Sequence, residues 1–151
     1  MPIPYTEFRY IFPPRPATRV KFKSPMYVKF RDDGNWVAQY KLNGQRNVIF
    51  ISPDRQVDMW NRHKERHKNY KPNEKLANQL LSVLDLPPGW AVLDSELMHA
   101  KDKNVKDTIY LYDVLALGGQ QLIGETYLQR YNKLAEIVKG GEKNDLNSRR
   151  V

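Results

Sequence analysis

The chain contains no cysteine among its 151 residues. Disulfides, thiolate metal sites and cysteine nucleophiles are therefore excluded. It also has no apolar run of the length that a membrane-spanning helix needs. Residues 1–10 lack the basic and then apolar layout of a signal peptide. These absences predict an intracellular, cytoplasmic protein of cellular or viral origin that has no membrane partner.

Positive charge dominates what is present. Lysine and arginine number 25 against 17 acidic residues, which gives a net charge of +8. Such a surface attracts polyanions, although many soluble proteins are basic and the charge alone leaves nucleic-acid binding open. Much of the charge falls in one stretch, whose candidate nucleic-acid-binding residues are Arg55, Lys64, Arg66, Lys68 and Lys71. His63 and His67 lie four residues apart there, a spacing that suits a metal site only on a helix.

The chain divides into three parts by composition. Residues 1–24 are rich in proline and aromatic residues and predict an extended arm that packs onto something else. Residues 25–139 have the alternation and periodicity of one folded domain. Residues 140–151 are polar and predict a disordered tail.

The domain is expected to be α+β, with antiparallel β-sheets flanked by helices. Residues 26–52 read as β-structure, with a turn at Asp33-Gly34 and a hairpin turn at Asn43-Gly44 between strands 35–42 and 45–52. The later elements are predicted as strand 57–60, helix 73–84, strands 90–99 and 108–117, and helix 125–139.

Three short segments carry candidate chemistry. Lys41 is expected at the end of a strand beside a tight turn, where a rigidly held amine can act as a nucleophile if it is neutral. Alternation places Asp94 and Glu96 on one face of their strand, where they could hold a divalent metal or a ribose hydroxyl. Tyr112 is expected to share a face with Tyr110 and Val114 and could stack on a base. A plain turn, solvated carboxylates and core tyrosines are the alternatives.

In this order the segments resemble motifs of the covalent nucleotidyltransferase superfamily, which comprises ATP-dependent DNA ligases, RNA ligases and mRNA capping enzymes. The segment 41–46, Lys-Leu-Asn-Gly-Gln-Arg, resembles the family's Lys-x-Asp-Gly-x-Arg motif. The segment 93–97, Leu-Asp-Ser-Glu-Leu, is similar to Leu-Asp-Gly-Glu-Leu, and 112–115 looks like the aromatic-Asp-x-Leu strand. Asn61-Arg62 and the helix start around Arg130 are weaker echoes. The resemblance covers residues 25–139 and is greatest to the N-terminal part of a DNA ligase adenylation domain.

The resemblance implies a partial ATP-grasp-like nucleotidyltransferase fold and a set of roles. Lys41 would attack the α-phosphorus of ATP and form a lysyl-AMP phosphoramidate. AMP would then pass to the 5′-phosphate of nicked DNA or RNA, and the nick would be sealed during replication or repair. The implied nucleotide-binding residues are Gln39, Tyr40, Arg46, Arg62, Glu96 and Tyr112. Glu96, and more weakly Asp94, would bind Mg²⁺ or Mn²⁺.

Some family features differ or do not occur in this sequence. Asn43 stands where the motif has aspartate, and Gln39 stands where DNA ligases usually have glutamate. Residues 140–151 contain neither the family's Glu-Gly-apolar segment nor its Lys-x-Lys strand. We therefore expect the isolated chain to be impaired in catalysis and to associate with a complementary chain that supplies these motifs. An RNA ligase, a capping guanylyltransferase and a non-catalytic nucleic-acid-binding module remain alternative interpretations.

Overall fold

The computed structural model describes residues 16–39, 41–68, 70–71, 73–99, 101, 103–139 and 149–150. They form an α+β structure with one antiparallel sheet and three helices, as the sequence predicts at this coarse level. Tyr40, residues 1–15 of the predicted arm and most of the predicted tail lie outside the described residues. Within the described ranges, none of the helices has the length and apolar character needed to cross a membrane.

The sheet contains six strands. They are β1 (Gln45–Ile51), β2 (Val57–Trp60), β3 (Ala91–Met98), β4 (Thr108–Leu117), β5 (Gln120–Gln121) and β6 (Arg149–Arg150). Their order is β2-β1-β3-β4-β5, with β6 also paired to β4, and every pairing is antiparallel. The central position of β3 brings residues of β1 and β4 to either side of it.

Three helices accompany the sheet: α1 (Pro25–Asp33), α2 (Glu74–Val83) and α3 (Tyr127–Ile137). Leu80 of α2 and Leu134 of α3 join the main core with Ile49, Leu93 and Leu111 from the sheet. Alternation along the strands leaves the opposite face with a smaller apolar cluster that includes Phe50. The same opposite face carries the polar candidate residues toward the other end of β1 and β3.

The prediction of β-structure from residue 26 is wrong, because the chain forms α1 there. Ser24 caps this helix by accepting a hydrogen bond from the Tyr27 N–H, and Pro25 occupies the first turn. Gly34 ends the helix with a φ of 72°, in the left-handed region. These end signals outweigh the short alternation over residues 27–30.

The predicted hairpin at Asn43-Gly44 is also wrong. Residues 35–39 and 41–42 form no strand, and β1 starts at Gln45 and pairs with β2 and β3. A Cβ on Gly44 would lie 2.6 Å from Glu96 Cγ and 2.6 Å from the Leu97 carbonyl oxygen. Glycine is therefore required here for close approach to β3 rather than for a hairpin turn.

The remaining elements confirm the predictions closely. Strands β2, β3 and β4 and helices α2 and α3 all occur where they are expected, and Asn73 caps α2 through its side chain. In β4, register shifts turn Val114 into the main core, so its predicted place on the face of Tyr112 is wrong. The two described residues of the predicted disordered tail form β6 instead.

Candidate functional site

Glu96 connects the three segments that the sequence analysis singled out. One carboxylate oxygen, Oε1, accepts a hydrogen bond of 2.9 Å from the Gly44 backbone N–H. The other, Oε2, accepts a hydrogen bond of 2.6 Å from the Tyr112 hydroxyl. Gly44 and Glu96 are 52 residues apart in sequence, and only the pairing of β1 with β3 brings them together.

Arg46 lies directly opposite Glu96 in the register of β1 and β3. Its guanidinium makes two hydrogen bonds to the Asp94 carboxylate, of 3.0 and 2.7 Å. Burial raises the pKa of Asp94 above its ordinary value, while the bonds from Arg46 act in the opposite direction. Asp94 therefore orients Arg46, and both of its oxygens are already engaged in doing so.

The two carboxylates differ in how well they suit the metal that the resemblance implies. Within the described ranges, no three His, Asp or Glu side chains converge into a group that could hold a metal ion. Mg²⁺ in nucleotide sites commonly takes one or two protein carboxylates and completes its shell with phosphates and water. Each oxygen of Glu96 accepts one hydrogen bond and has a second lone pair. Glu96 therefore fits such a metal better than Asp94.

Tyr112 contributes its hydroxyl to the site. Burial, together with the nearby Glu96 carboxylate, raises the pKa of Tyr112 above its ordinary value. The phenol therefore keeps its proton at neutral pH and donates it to Glu96. Stacking of the ring on a base remains a prediction.

Lys41 lies in a segment that is fastened at both ends. The Gln39 side-chain nitrogen donates to the Tyr127 hydroxyl, and the Gly44 N–H donates to Glu96. Lys41 itself is exposed. Three residues span at most about 10 Å, so the Lys41 backbone lies within that distance of Gly44, whose N–H contacts Glu96.

A cavity of about 620 Å³ opens at the end of the sheet, where β1 begins and β3 ends. Its volume lies within the range of roughly 300–1,000 Å³ that small-molecule sites occupy. Gly44, Arg46 and Glu96 line one side, and the loop after β2 contributes Arg62 and Lys68. Lys101 adds another positive charge, while Glu65 and Glu96 are the only acidic side chains among the described residues that line the cavity. The cavity therefore favours an anionic ligand, and Lys41 is not among its lining residues.

The predicted nucleic-acid-binding residues separate into two groups. Arg62, from the predicted nucleotide set, lines the cavity with Lys68, and Lys64 and Lys71 are exposed. Arg55 instead donates a hydrogen bond of 2.7 Å to the Leu86 carbonyl oxygen, which ties two loops together.

Arg66 is held by its neighbours in the fold. It forms an ion pair with Asp58, and its guanidinium lies 4.7 Å from the centre of the Trp60 ring. Arg55 and Arg66 thus have structural contacts that the charge pattern does not reveal.

Sequence reasoning missed a buried polar network beside the cavity. Ser95 Oγ donates to the Asn47 carbonyl oxygen and accepts from the Asn47 side-chain nitrogen, over 2.7 and 3.1 Å. The remaining amide oxygen of Asn47 lies 2.9 Å from His67 Nε2, so that nitrogen must carry the proton. Burial lowers the pKa of His67. Ser95, standing where the family motif has glycine, was the available signal.

His67 lies in an irregular loop outside the helices, so the helical geometry that a His63–His67 metal site would need is absent from this described loop. No protein-family model matches the chain, and no curated protein matches it. The case for a function therefore depends on the motifs and on the geometry described above.

Proposed function

We propose that this chain belongs to the adenylation domain of an intracellular ATP-dependent DNA ligase, with Lys41 as the nucleophile. The observation that carries the proposal is the convergence at Glu96. Gly44 from the first motif and Tyr112 from the third both donate to this glutamate of the second. Residues of three separate motifs thus share one carboxylate, which is the arrangement that a site built from these motifs needs.

The arrangement supports a division of roles around a nucleotide. The Lys41 amine forms a nitrogen–phosphorus bond to the α-phosphorus of ATP as the bond to pyrophosphate breaks, and the proton displaced from the amine passes to solvent. Arg46 and Glu96 bind the ribose, and Gln39 and Tyr112 contact the adenine. Arg62 and Lys68 lie on the cavity wall and are suited to contact the phosphates. Mg²⁺ or Mn²⁺ held by Glu96 and the phosphates would neutralise charge on the leaving group.

Intact mass after incubation with ATP and Mg²⁺ tests the proposal. We expect the wild type to gain the mass of one AMP and Lys41→Ala to gain nothing. Lys21→Ala is the matched control, because it removes another exposed lysine outside the site and should keep the adduct. Parallel incubation with GTP distinguishes a capping guanylyltransferase, and nicked duplexes of DNA and of RNA distinguish the two kinds of ligase.

A wild type that gains no AMP would contradict the proposal for this chain, provided that it also gains none with a chain supplying the Glu-Gly-apolar and Lys-x-Lys motifs. An adduct that persists in Lys41→Ala would contradict the assignment of the nucleophile.

The positive lining of the cavity favours a second candidate function, a non-catalytic nucleic-acid-binding module. This candidate predicts salt-dependent binding to duplex or single strands that survives Lys41→Ala unchanged. Fluorescence anisotropy with labelled oligonucleotides measures it. Absence of binding at low salt would eliminate this candidate without affecting AMP transfer.

A further inference from the structure

We propose that Tyr127 is a positioning residue whose hydroxyl holds one end of the Lys41 segment, which here means Gln39 and residues 41–44, in place. Its catalytic consequence rests on the proposed function, whereas its structural consequence does not.

The register shift in β4 leaves one backbone carbonyl available. Leu111 is opposite Ser95 and Asp113 is opposite Asp94, so Tyr112 has no partner residue on β3. Its carbonyl oxygen accepts a hydrogen bond of 3.0 Å from the Tyr127 hydroxyl instead.

The start of α3 is fixed firmly enough to hold that hydroxyl in one place. Thr126 caps the helix in a reciprocal capping box with Gln129. One turn further on, Arg130 makes two hydrogen bonds to the Asp113 carboxylate, of 2.9 and 2.8 Å. Arg130 thus ties the first turns of α3 to Asp113, the residue next to Tyr112 on β4. The position of Tyr127 is therefore set by the packing of α3 on β4 and not by the Lys41 segment.

The direction of the second hydrogen bond follows from the first. A phenol has one proton, and Tyr127 donates it to the Tyr112 carbonyl, so its oxygen is left as an acceptor. Burial raises the pKa of Tyr127, which keeps that proton in place at neutral pH. The Gln39 amide nitrogen donates to this oxygen. A phenylalanine at position 127 would lose both bonds and little else.

These bonds close a ring around the nucleophile. Gln39 is held by Tyr127, Tyr127 by the Tyr112 backbone, and the Tyr112 hydroxyl holds Glu96, which in turn holds Gly44. Lys41 lies between the two attached ends. Such closure fixes the backbone of the nucleophile relative to the groups predicted to bind the ribose, which is the preorganisation that a phosphoryl-transfer site requires.

Amide hydrogen exchange followed by mass spectrometry tests the positioning role without any nucleotide. In Tyr127→Phe we expect exchange in peptides covering residues 41–44 to rise about fivefold, the effect of losing one ordinary hydrogen bond. Gln39→Ala should have a similar effect, and the double variant should exchange no faster than Tyr127→Phe. Tyr27→Phe on α1 is the matched control for loss of a tyrosine hydroxyl and should leave this segment unchanged.

Two results would overturn the proposal. One is amide exchange at the wild-type rate in peptides covering residues 41–44 of the Tyr127→Phe variant. The other is a rise spread equally over β1 and β3, which would indicate general destabilisation.

Kinetics of AMP transfer supply the catalytic readout. At saturating ATP, Tyr127→Phe should form the adduct several-fold more slowly, because the nucleophile is less well held. KM should change less than the rate does, because the variant loosens Gln39, one proposed adenine contact, and leaves Arg46 and Glu96 held by their own partners. A raised KM with an unchanged maximal rate would contradict a positioning role. If the wild type takes up no AMP even with a chain that supplies the Glu-Gly-apolar and Lys-x-Lys motifs, the proposed function fails, while the exchange result still decides the role of Tyr127.

Discussion

At the scale of single residues, Gly44 allows the Lys41 segment to reach Glu96. Alanine at this position would bring its Cβ within 2.6 Å of Glu96 Cγ and 2.7 Å of Met98 Sδ. We expect Gly44→Ala to lower the free energy of unfolding by about 1–3 kcal/mol, the usual range for overpacking. It should also abolish AMP transfer, because the hydrogen bond from the backbone N–H of residue 44 to Glu96 is displaced. Urea unfolding and intact mass measure the two effects.

Gly34→Ala is the control for Gly44→Ala. Its Cβ meets no atom within 4 Å, and only its φ of 72° disfavours alanine. It should lose about 1–2 kcal/mol through left-handed strain and keep AMP transfer. Equal AMP uptake by both variants would show that the close approach at Gly44 has no functional role.

His67 makes the stability of the fold depend on pH. Its folded-state pKa is lowered by burial, so below the unfolded value of about 6.5 the unfolded chain binds more protons than the folded one. Stability is therefore fully present above that pH and is lost as pH falls toward the folded pKa. We expect His67→Gln, which can still donate to Asn47, to weaken this loss of stability as pH falls below about 6.5 in urea titrations.

His63→Gln is the matched control for the pH experiment, because His63 is exposed and lies outside the buried network. It should keep the wild-type pH profile. A profile identical in all three proteins would show that His67 is not buried in its neutral form.

At the scale of secondary-structure elements, the sequence predicted those that have both a periodic apolar face and a clear end signal. Helix α2 has Asn73 at its start and Leu76 and Leu80 in the core, and β4 has long alternation. Two of the wrong predictions lie before the sheet. Alternation over residues 27–30 predicts a strand where the Ser24 cap starts a helix, and Asn-Gly predicts a hairpin turn where the chain approaches β3. Neither the register shift at Tyr112 nor the approach of Gly44 to β3 has a local signal, because both depend on strand pairing.

The same reasoning applies to the candidate site. Alternation was enough to predict that Asp94 and Glu96 share a face, and the burial along β3 confirms it. Alternation could not predict that Asp94 forms an ion pair with Arg46 or that Arg66 forms one with Asp58. A side chain's partner across a sheet or loop follows from register and loop path, which residue spacing does not determine.

One buried ion pair helps to hold α3 on β4, in addition to the apolar packing of Leu134 in the core. Arg130 is 3% exposed, bonds to both oxygens of Asp113 and also donates to the Glu125 carbonyl. We expect Arg130→Met to destabilise the fold by about 3–5 kcal/mol, because the Asp113 charge is left buried without its partner. Urea unfolding measures this loss.

Lys133 lies on the same helix as Arg130 and forms a more exposed ion pair with Glu125, which precedes the helix. Lys133→Met breaks that pair and is the control for Arg130→Met. It should change stability by less than about 1 kcal/mol. Adding Asp113→Asn to Arg130→Met should recover part of the loss. A loss of similar size in both single variants would mean that helix propensity, and not the buried pair, accounts for the effect.

At the scale of the whole molecule, the cations that give the net charge of +8 differ in what they contact. Arg46 is paired with Asp94, Arg66 with Asp58 and Arg130 with Asp113, so these three cations stabilise the fold. Arg62 and Lys68 instead line the cavity. Attraction of a polyanion should therefore depend on where a cation lies and what it contacts rather than on how many cations the chain has.

This difference predicts how salt affects binding to a nicked duplex. Each lysine or arginine that contacts a phosphate contributes about 0.9 to the slope of log affinity against log salt concentration. We expect Arg62→Ala and Lys68→Ala each to weaken binding and to reduce that slope by about one, because each removes one phosphate contact. Lys29→Ala, an exposed charge on α1, should change neither quantity measurably. If all three variants weaken binding equally, the attraction comes from net charge alone and the cavity does not bind the duplex. If only the cavity variants do, the basic wall of the proposed nucleotide site also contacts the nucleic acid, as expected where AMP is passed to a 5′-phosphate.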